Sequence, residues 1–201
     1  MLLAASAARY YTLDPDVYFQ REVYEDKTVG LLTHITAMIL AALAGPLQFL
    51  RPLRERHLGL HRSLGRIYCA GAIIGALSGL YLAPSTASGA VSDTGFTSLG
   101  IGVLITTTVG LVRIRSGDVQ SHREWMTRSY ALIFAAVTLR LYVAPLQAAL
   151  GEHDGYAFVA WACWVPNLLV AEWLIRSRGR RRPAVPSRVS ATATERPRSR
   201  T

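Results

Sequence analysis

Two short stretches of this chain carry histidine, arginine and tyrosine in the same order, and their histidines are 61 residues apart. The first reads HRSLGRIY at 61–68, and the second reads HREWMTRSY at 122–130, with one residue inserted. We call these stretches the His-Arg motifs and treat their shared positions as one candidate ligand-binding site. The shared positions are His61, Arg62, Arg66 and Tyr68 in the first motif and His122, Arg123, Arg128 and Tyr130 in the second.

These residue types allow two kinds of chemistry. Imidazole nitrogens are axial ligands of haem iron, so His61 and His122 on equivalent helices could hold one haem between them. The neighbouring arginines would then bind an anionic group, such as the haem propionates or a phosphate. The alternative is that each His-Arg pair lies at a membrane interface, where long basic side chains bind lipid phosphates without any cofactor.

Five apolar segments position these motifs. Hydrophobic residues make up 51% of the chain and charged residues only 17%, compared with about a quarter charged in a soluble domain. Each segment is close to the roughly 20 residues with which a helix crosses the hydrocarbon core. The sequence predicts an all-α, polytopic transmembrane bundle of about five helices, and the repeated motif indicates a duplicated helical hairpin. The predicted segments are Gly30–Leu50, Leu64–Pro84, Phe96–Val112, Met126–Leu146 and Tyr156–Ile175.

The basic residues predict the orientation of the bundle. The net charge is +9, and most of the 22 basic residues lie around the two His-Arg motifs and in the C-terminal tail. The region before the first segment contributes Arg9, Arg21 and Lys27. By the positive-inside rule, both motifs and the C-terminus are cytoplasmic and the N-terminus is external in a multi-pass protein of the cell membrane. Because the arginines lie beside apolar runs without interleaved aromatic residues, a membrane face explains them better than nucleic acid.

The same features divide the chain into three parts. Residues 1–29 form a polar, aromatic segment that we expect outside the membrane. Residues 30–176 form the five-helix transmembrane domain. Residues 177–201 are rich in Arg, Pro, Ser, Thr and Ala, a composition that predicts a basic, disordered cytoplasmic tail in contact with anionic lipid.

A second group of polar residues lies inside the apolar segments. His34 and Gln48 share one face of the first segment, roughly 21 Å apart at 1.5 Å per residue. Arg140 lies about 14 residues into the fourth segment, toward the outer face. Ionisable groups in a membrane need a partner or a purpose. These three residues are therefore a candidate outer or intramembrane polar site, for a haem or a quinone, although a snorkelling arginine would explain Arg140 equally well.

Two further patterns predict helix packing. Gly71, Gly75 and Gly79 recur every four residues, a spacing that allows close approach between helices in lipid. Glu172 precedes Arg176 by four residues, which predicts an ion pair within one helix.

Several short motifs accompany the His-Arg motifs. Together they resemble the bacterial predicted membrane proteins known as domain of unknown function 2306, over about residues 10–175. The resemblance implies an all-helical integral membrane protein without an established activity. Members begin with a further transmembrane helix, where this sequence has only Met1–Ala8, so either the native start lies upstream or this stretch is dispensable. The motifs are Gly45-Pro46-Leu47-Gln48-Phe49, Gly79-Leu80-Tyr81-Leu82-Ala83, Trp125-Met126 inside the second His-Arg motif, Thr138-Leu139-Arg140 and Tyr11-Thr12-Leu13-Asp14-Pro15.

Three classes of function are compatible with these residues. The first is a non-catalytic membrane protein whose His-Arg motifs bind anionic lipid or a protein partner. The second is a haem- or quinone-binding redox protein that uses His61 and His122, and the third is a carrier of small solutes or ions. The sequence contains no phosphate-binding glycine loop, zinc-protease helix or nucleophile elbow, so an enzyme is the weaker expectation.

Overall fold

A computed structural model describes residues 9–12, 26–85 and 89–180 of the chain. Within these ranges the regular structure is helical, and two short 3-10 turns, Arg9–Thr12 and Ala83–Ser85, accompany the α-helices. The α-helices are α1 (Thr28–Gln48), α2 (Arg51–Arg56), α3 (Leu58–Leu82), α4 (Gly89–Arg115), α5 (Val119–Ile133), α6 (Ala135–Leu150), α7 (Glu152–Ala162) and α8 (Val165–Arg180).

Five segments within the described residues are long and apolar enough to cross a membrane. Helices α1, α3 and α4 each form one span, whereas α5 continues into α6 and α7 continues into α8. Large apolar side chains such as Leu43, Leu169 and Trp173 remain about two-thirds exposed, as expected for a surface that faces lipid. The prediction of an all-α, polytopic transmembrane bundle is confirmed.

Helix α4 lies centrally and packs against α3, α5 and α7. Helix α1 packs mainly along α3, and α8 packs against α5. The core is lined by small side chains, including Ala41 and Ala72, both fully buried, and by the ring of Tyr68.

The helices extend further into the basic regions than hydropathy predicts. Helix α3 begins at Leu58 instead of Leu64, and α5 begins at Val119 instead of Met126, so both His-Arg motifs are helical from their first residue. At α5 the reason is local: Gly117 adopts a positive φ of 82°, and Asp118 caps the helix by accepting a hydrogen bond from the Ser121 backbone at 3.0 Å. Apolar periodicity detects only the part of a helix that lies in lipid, so it misses such polar first turns.

The glycines of α3 face α1, as their spacing predicts. A Cβ atom added at Gly71 would lie 2.7 Å from the carbonyl oxygen of Ala37, and one at Gly75 would lie 2.7 Å from the sulfur of Met38. Gly79 lies against the imidazole of His34. The backbones of α1 and α3 therefore approach closely because these side chains are absent.

A helix break between α7 and α8 divides the last span. Pro166 has no N–H to donate to the preceding turn, and its ring would clash with the backbone of a continuous helix. The carbonyl of Cys163, at the break, accepts hydrogen bonds from the Thr138 hydroxyl and from the Asn167 amide at 2.8 Å. These two polar side chains satisfy the backbone group that the break leaves without an intrahelical partner.

The predicted external segment 1–29 and the predicted tail 177–201 fall largely outside the described residues. Helix α8 continues to Arg180, past the expected end of the domain at residue 176.

Candidate functional site

The two His-Arg motifs lie at the same end of the bundle. The charges of Arg54, Arg62, His122 and Arg123 all act on His61, so these four residues of α2, α3 and α5 lie within electrostatic range of His61. We call these residues and His61 the basic cluster. Arg62 and Arg123 are exposed, whereas Arg54 and the two histidines are partly buried. The first two residues of one motif thus lie near the first two residues of the other. Arg66, a later residue of the first motif, is exposed on α3.

The carboxylates near the basic cluster have other partners. Glu55 pairs with Arg51 at 2.7 Å, and Glu124 accepts a hydrogen bond from Gln120 at 2.5 Å. The hydrogen bonds from Ser121 lower the pKa of Asp118, so this cap stays ionised. In the described part of the chain no carboxylate lies within 4.0 Å of the guanidinium groups of the cluster. The three guanidinium groups of the cluster are therefore not neutralised by a direct ion pair within these residues.

Two buried polar atoms beside the basic cluster have no hydrogen-bond partner among the described residues. They are Nδ1 of His61 and Nε2 of Gln48. The Gln48 side chain lies over Gly65, where its Oε1 atom would be 3.3 Å from an added Cβ. Unpaired buried polar groups destabilise a fold unless a ligand or water satisfies them. The side chain of Gln48 therefore occupies the space beside Gly65.

The tyrosines of the motifs belong to the core. Tyr68, only 1% exposed, shares a hydrogen bond of 2.7 Å with the hydroxyl of Ser129, which shares another of 2.7 Å with Thr107. This buried hydroxyl network joins α3, α4 and α5. The ring of Tyr130 covers Gly45 and lies 6.4 Å from the ring of Tyr68. Both tyrosines belong to the predicted ligand-binding positions, and their contacts in the structure are with residues of the core.

Two substitutions in the hydroxyl network should differ in how much they destabilise the protein. We expect Ser129→Ala to reduce the free energy of unfolding by about 1–3 kcal/mol, because it leaves the Tyr68 hydroxyl buried without a partner. Tyr68→Phe should cost less, about 1 kcal/mol, because Ser129 keeps its bond to Thr107. Thermal melts in detergent measure the order of the two variants. Equal losses, or a larger loss in Tyr68→Phe, would contradict the arrangement in which the Ser129 hydroxyl links Tyr68 to Thr107.

Arg128 has a protein partner instead of facing an open site. Its guanidinium donates to Glu172 on α8 through Nε at 2.5 Å and Nη2 at 3.2 Å, and it lies 4.7 Å from the ring of Trp125. The prediction that Glu172 pairs with Arg176 is wrong. The main partner of Glu172 is Arg128, and Arg176 contributes only a weaker electrostatic effect. The tertiary fold brings α5 to α8, and spacing along one helix could not reveal that contact.

A second repeat was missed by sequence reasoning. Nδ1 of His34 binds the carbonyl oxygen of Gly75 at 2.8 Å, and Met38 covers the same glycine. In the same way, Nδ1 of His122 binds the carbonyl oxygen of Gly110 at 2.8 Å, and Met126 covers that glycine. A carbonyl only accepts, so Nδ1 carries the proton in both rings and Nε2 is left for another partner. The signal in the sequence is His-x-x-x-Met, which occurs at both places.

At the opposite end of the bundle a cavity of about 500 Å³ lies between α1, α3, α4 and α6. His34 and Arg140, two of the three residues predicted as an intramembrane polar site, both line it. The third, Gln48, does not: it lies beside the basic cluster, near the other end of α1. The polar groups of the cavity also include Gln147 and Tyr156, and the rest of its wall is mainly aliphatic.

No group of three or more histidine, cysteine, aspartate or glutamate residues within the described ranges is arranged to hold a metal ion. Cys69 and Cys163 are buried and free. Haem ligation by His61 and His122 needs only two histidines, so it stays a prediction.

The helical architecture and the five spans define a multi-pass integral membrane protein. A family model described as predicted membrane protein (DUF2306) matches residues 31–175, and the chain belongs to this family. The resemblance seen in the sequence is thereby confirmed. No curated protein and no solved structure matches the chain.

Proposed function

We propose that the basic cluster binds the phosphate of an anionic lipid at the cytoplasmic face of the membrane. The observation that carries this proposal is that the charges of Arg54 on α2 and of Arg62, His122 and Arg123 in the two motifs all act on His61. None of the three guanidinium groups has a carboxylate within 4.0 Å among the described residues. Like charges this close repel each other, and an anion between them relieves the repulsion. Arginine favours phosphate because its planar guanidinium donates two parallel hydrogen bonds.

The exposure of the cluster suits a membrane-surface ligand. Arg62 and Arg123 are exposed and can reach a headgroup, while His61 and His122 lie behind them on α3 and α5. Long arginine side chains extend readily from a helix end to the phosphate level of a bilayer. A bound headgroup would tie the starts of α3 and α5 together, about two turns from the hydroxyl network that links the same helices.

The proposal requires that this end of the bundle is cytoplasmic, as the distribution of basic residues predicts. We expect reporter fusions after Leu58, Asp118 and Ser190 to be cytoplasmic and fusions after Ser88 and Asp154 to be external. Paired activity and fluorescence reporters in a bacterial host measure both states. An external signal after Leu58 or Asp118 would place the basic cluster on the wrong side for the anionic inner leaflet.

Lipid-dependent stability tests the binding itself. The purified protein should melt at a higher temperature with phosphatidylglycerol added than with phosphatidylcholine added, because a ligand that binds the folded state stabilises it. We expect the double variant Arg62→Gln/Arg123→Gln to lose most of this shift. The matched control is Arg56→Gln/Arg115→Gln, which removes the same charge from exposed positions in the same two regions but outside the cluster.

Added salt should reduce the shift in the parent, since the attraction is electrostatic. The proposal fails if the cluster variant and the control lose the same amount, because the effect would then follow net charge alone. It also fails if phosphatidylcholine stabilises the parent as well as phosphatidylglycerol does.

A redox function with a shared haem has less support from the geometry. The Gln48 side chain occupies the space beside Gly65, and the Tyr68 hydroxyl is bonded to Ser129. Arg128 is held by Glu172, so it is committed within the protein. An absorption spectrum of protein produced with haem supplied distinguishes the two functions, since a Soret band that disappears in both His61→Ala and His122→Ala would favour haem.

A further inference from the structure

The cavity between α1, α3, α4 and α6 can hold a small lipophilic molecule. Its volume of about 500 Å³ falls within the range of small-molecule sites, which are mostly apolar with a few converging polar groups. Leu99, Val103, Leu132 and Leu139 contribute to the apolar wall. This wall alone would accept any lipophilic molecule, so a hydrogen-bonding group beside it must select the ligand.

The imidazole of His34 is such a group. Its Nδ1 atom donates to the carbonyl oxygen of Gly75 at 2.8 Å. The same edge of the ring lies against Gly79, where an added Cβ would be 3.0 Å from Cε1. The ring is thereby fixed against α3 and carries its proton on Nδ1. A second proton would place a charge in an apolar wall, so the neutral ring is favoured and Nε2 is a hydrogen-bond acceptor.

Nε2 of His34 has no hydrogen-bond partner among the described residues. It is also not one of the buried unpaired atoms, which are Nδ1 of His61 and Nε2 of Gln48. Because His34 lines the cavity, a ligand there can reach this nitrogen. The partner that it lacks is a donor, and a hydroxyl is the smallest neutral donor. An ammonium group would instead lose its hydration among the apolar side chains.

The position of the cavity provides a route from the membrane. Ala144 lines the cavity and is also exposed on α6, so the cavity opens beside this helix. His34 lies six residues after the start of α1 at Thr28, which is about 9 Å along the axis. A lipophile that enters sideways from the membrane can therefore bring its hydroxyl to His34 while its apolar part lies among the aliphatic side chains.

We propose that this cavity binds a neutral lipophile whose hydroxyl group donates a hydrogen bond to Nε2 of His34. The hydroxyl can belong to a phenol, such as a quinol, or to an aliphatic alcohol, since both offer the same donor. The site is separate from the basic cluster, which lies at the other end of the bundle. The proposal is therefore independent of lipid binding there.

Site-resolved photolabelling with matched hydroxyl and ether probes tests the proposal. The protein is placed in phosphatidylcholine nanodiscs with an alkylphenol or a fatty alcohol that carries a diazirine in its chain, or with the methyl ether of either probe. Labelled peptides are mapped by mass spectrometry. We expect saturable labelling of the cavity wall on α4 and α5 by at least one hydroxyl probe, at an apparent affinity at least about fivefold higher than that of its ether. Comparing the phenol with the alcohol distinguishes the two sources of the hydroxyl.

Two variants connect the labelling to His34 and to the cavity. His34→Phe keeps a ring but removes the acceptor, so the hydroxyl probe and its ether should label this variant alike. The carbonyl of Gly75 keeps a hydrogen bond from the Ser78 hydroxyl at 3.1 Å. Thr33→Phe, at the neighbouring exposed position, is the matched control and should retain the preference for the hydroxyl. Ala136→Phe fills the cavity from α6 without changing His34 and should prevent labelling of the wall, while melting curves check that each variant is folded.

The proposal is overturned if each ether labels the wall as well as its hydroxyl probe does, which would indicate a site selected by apolar contact alone. It is also overturned if His34→Phe retains the preference for the hydroxyl, since the acceptor would then lie elsewhere. Labelling that is unchanged in Ala136→Phe, or that falls only on lipid-facing residues such as Leu141 and Leu169, would show that the ligand does not occupy the cavity.

Discussion

Replacing Glu172 by glutamine should destabilise the bundle by about 2–3 kcal/mol. Removing one partner of a buried ion pair costs about 3–5 kcal/mol. We expect a smaller loss here, because the side chains of Arg128 and Glu172 are 19% and 28% exposed. The remaining Arg128 would keep its contact with Trp125 but lose a bidentate carboxylate. Because the pair is the main polar link between α5 and α8, the loss should appear as a lower melting temperature of the whole bundle.

Arginine variants identify the partner of Glu172. Arg128→Gln should destabilise the protein by a similar amount, whereas Arg176→Gln, at an exposed position on α8, should have little effect. The double variant Arg128→Gln/Glu172→Gln should lose less than the sum of the two single losses. Melting curves in one detergent give all four values. Additive losses, or a larger loss from Arg176→Gln, would contradict the contact between α5 and α8.

Gly71→Ala should destabilise the pair of helices α1 and α3 by about 1–3 kcal/mol, which is the usual cost of overpacking. The added methyl would lie 2.7 Å from the carbonyl oxygen of Ala37 and 3.2 Å from the backbone nitrogen of Ala41. Both atoms belong to the backbone of α1, so no side chain can rotate away to make room. The helices would have to separate.

Gly59→Ala is the matched control for that prediction. Gly59 lies in the same helix, but no atom apart from its chain neighbours and the nearby backbone of its own helix is within 4 Å of a Cβ added there. Alanine has the higher helix propensity, so this variant should be neutral or more stable by up to about 1 kcal/mol. If both glycines tolerate alanine equally in a melting assay, α1 and α3 do not pack as closely as described.

The sequence predicted the features that depend on local pattern. Apolar segments of about 20 residues identified all five spans, because the hydrocarbon core imposes that length on any crossing helix. The spacing of Gly71 and Gly75 identified the face of α3 that meets α1, since small residues in lipid mark close helix packing. These inferences need only the neighbours of a residue along one helix.

Features that depend on contacts between distant helices were missed. The hydroxyl network of Ser129 and Thr107 joins residues that read as ordinary small residues in their own segments. The two His-Arg motifs look like equivalent copies, yet the local geometry of His122 matches that of His34 and not that of His61. At His34 and at His122, the imidazole binds the carbonyl of a glycine on another helix, and the methionine four residues later covers that glycine. No spacing rule predicts which helix supplies that glycine.

Counting bound lipids tests most directly whether the two His-Arg motifs form one anion site. The protein in detergent is mixed with phosphatidylglycerol and phosphatidylcholine and then released from the detergent in a native mass spectrometer. The masses give the number and type of lipids that stay bound. One shared site predicts one selectively retained phosphatidylglycerol, which Arg62→Gln and Arg123→Gln each remove and the double variant removes no further. Two retained lipids, with one lost in each single variant, would show two separate interfacial sites. Unchanged retention in both variants would show that the basic cluster does not bind lipid phosphate.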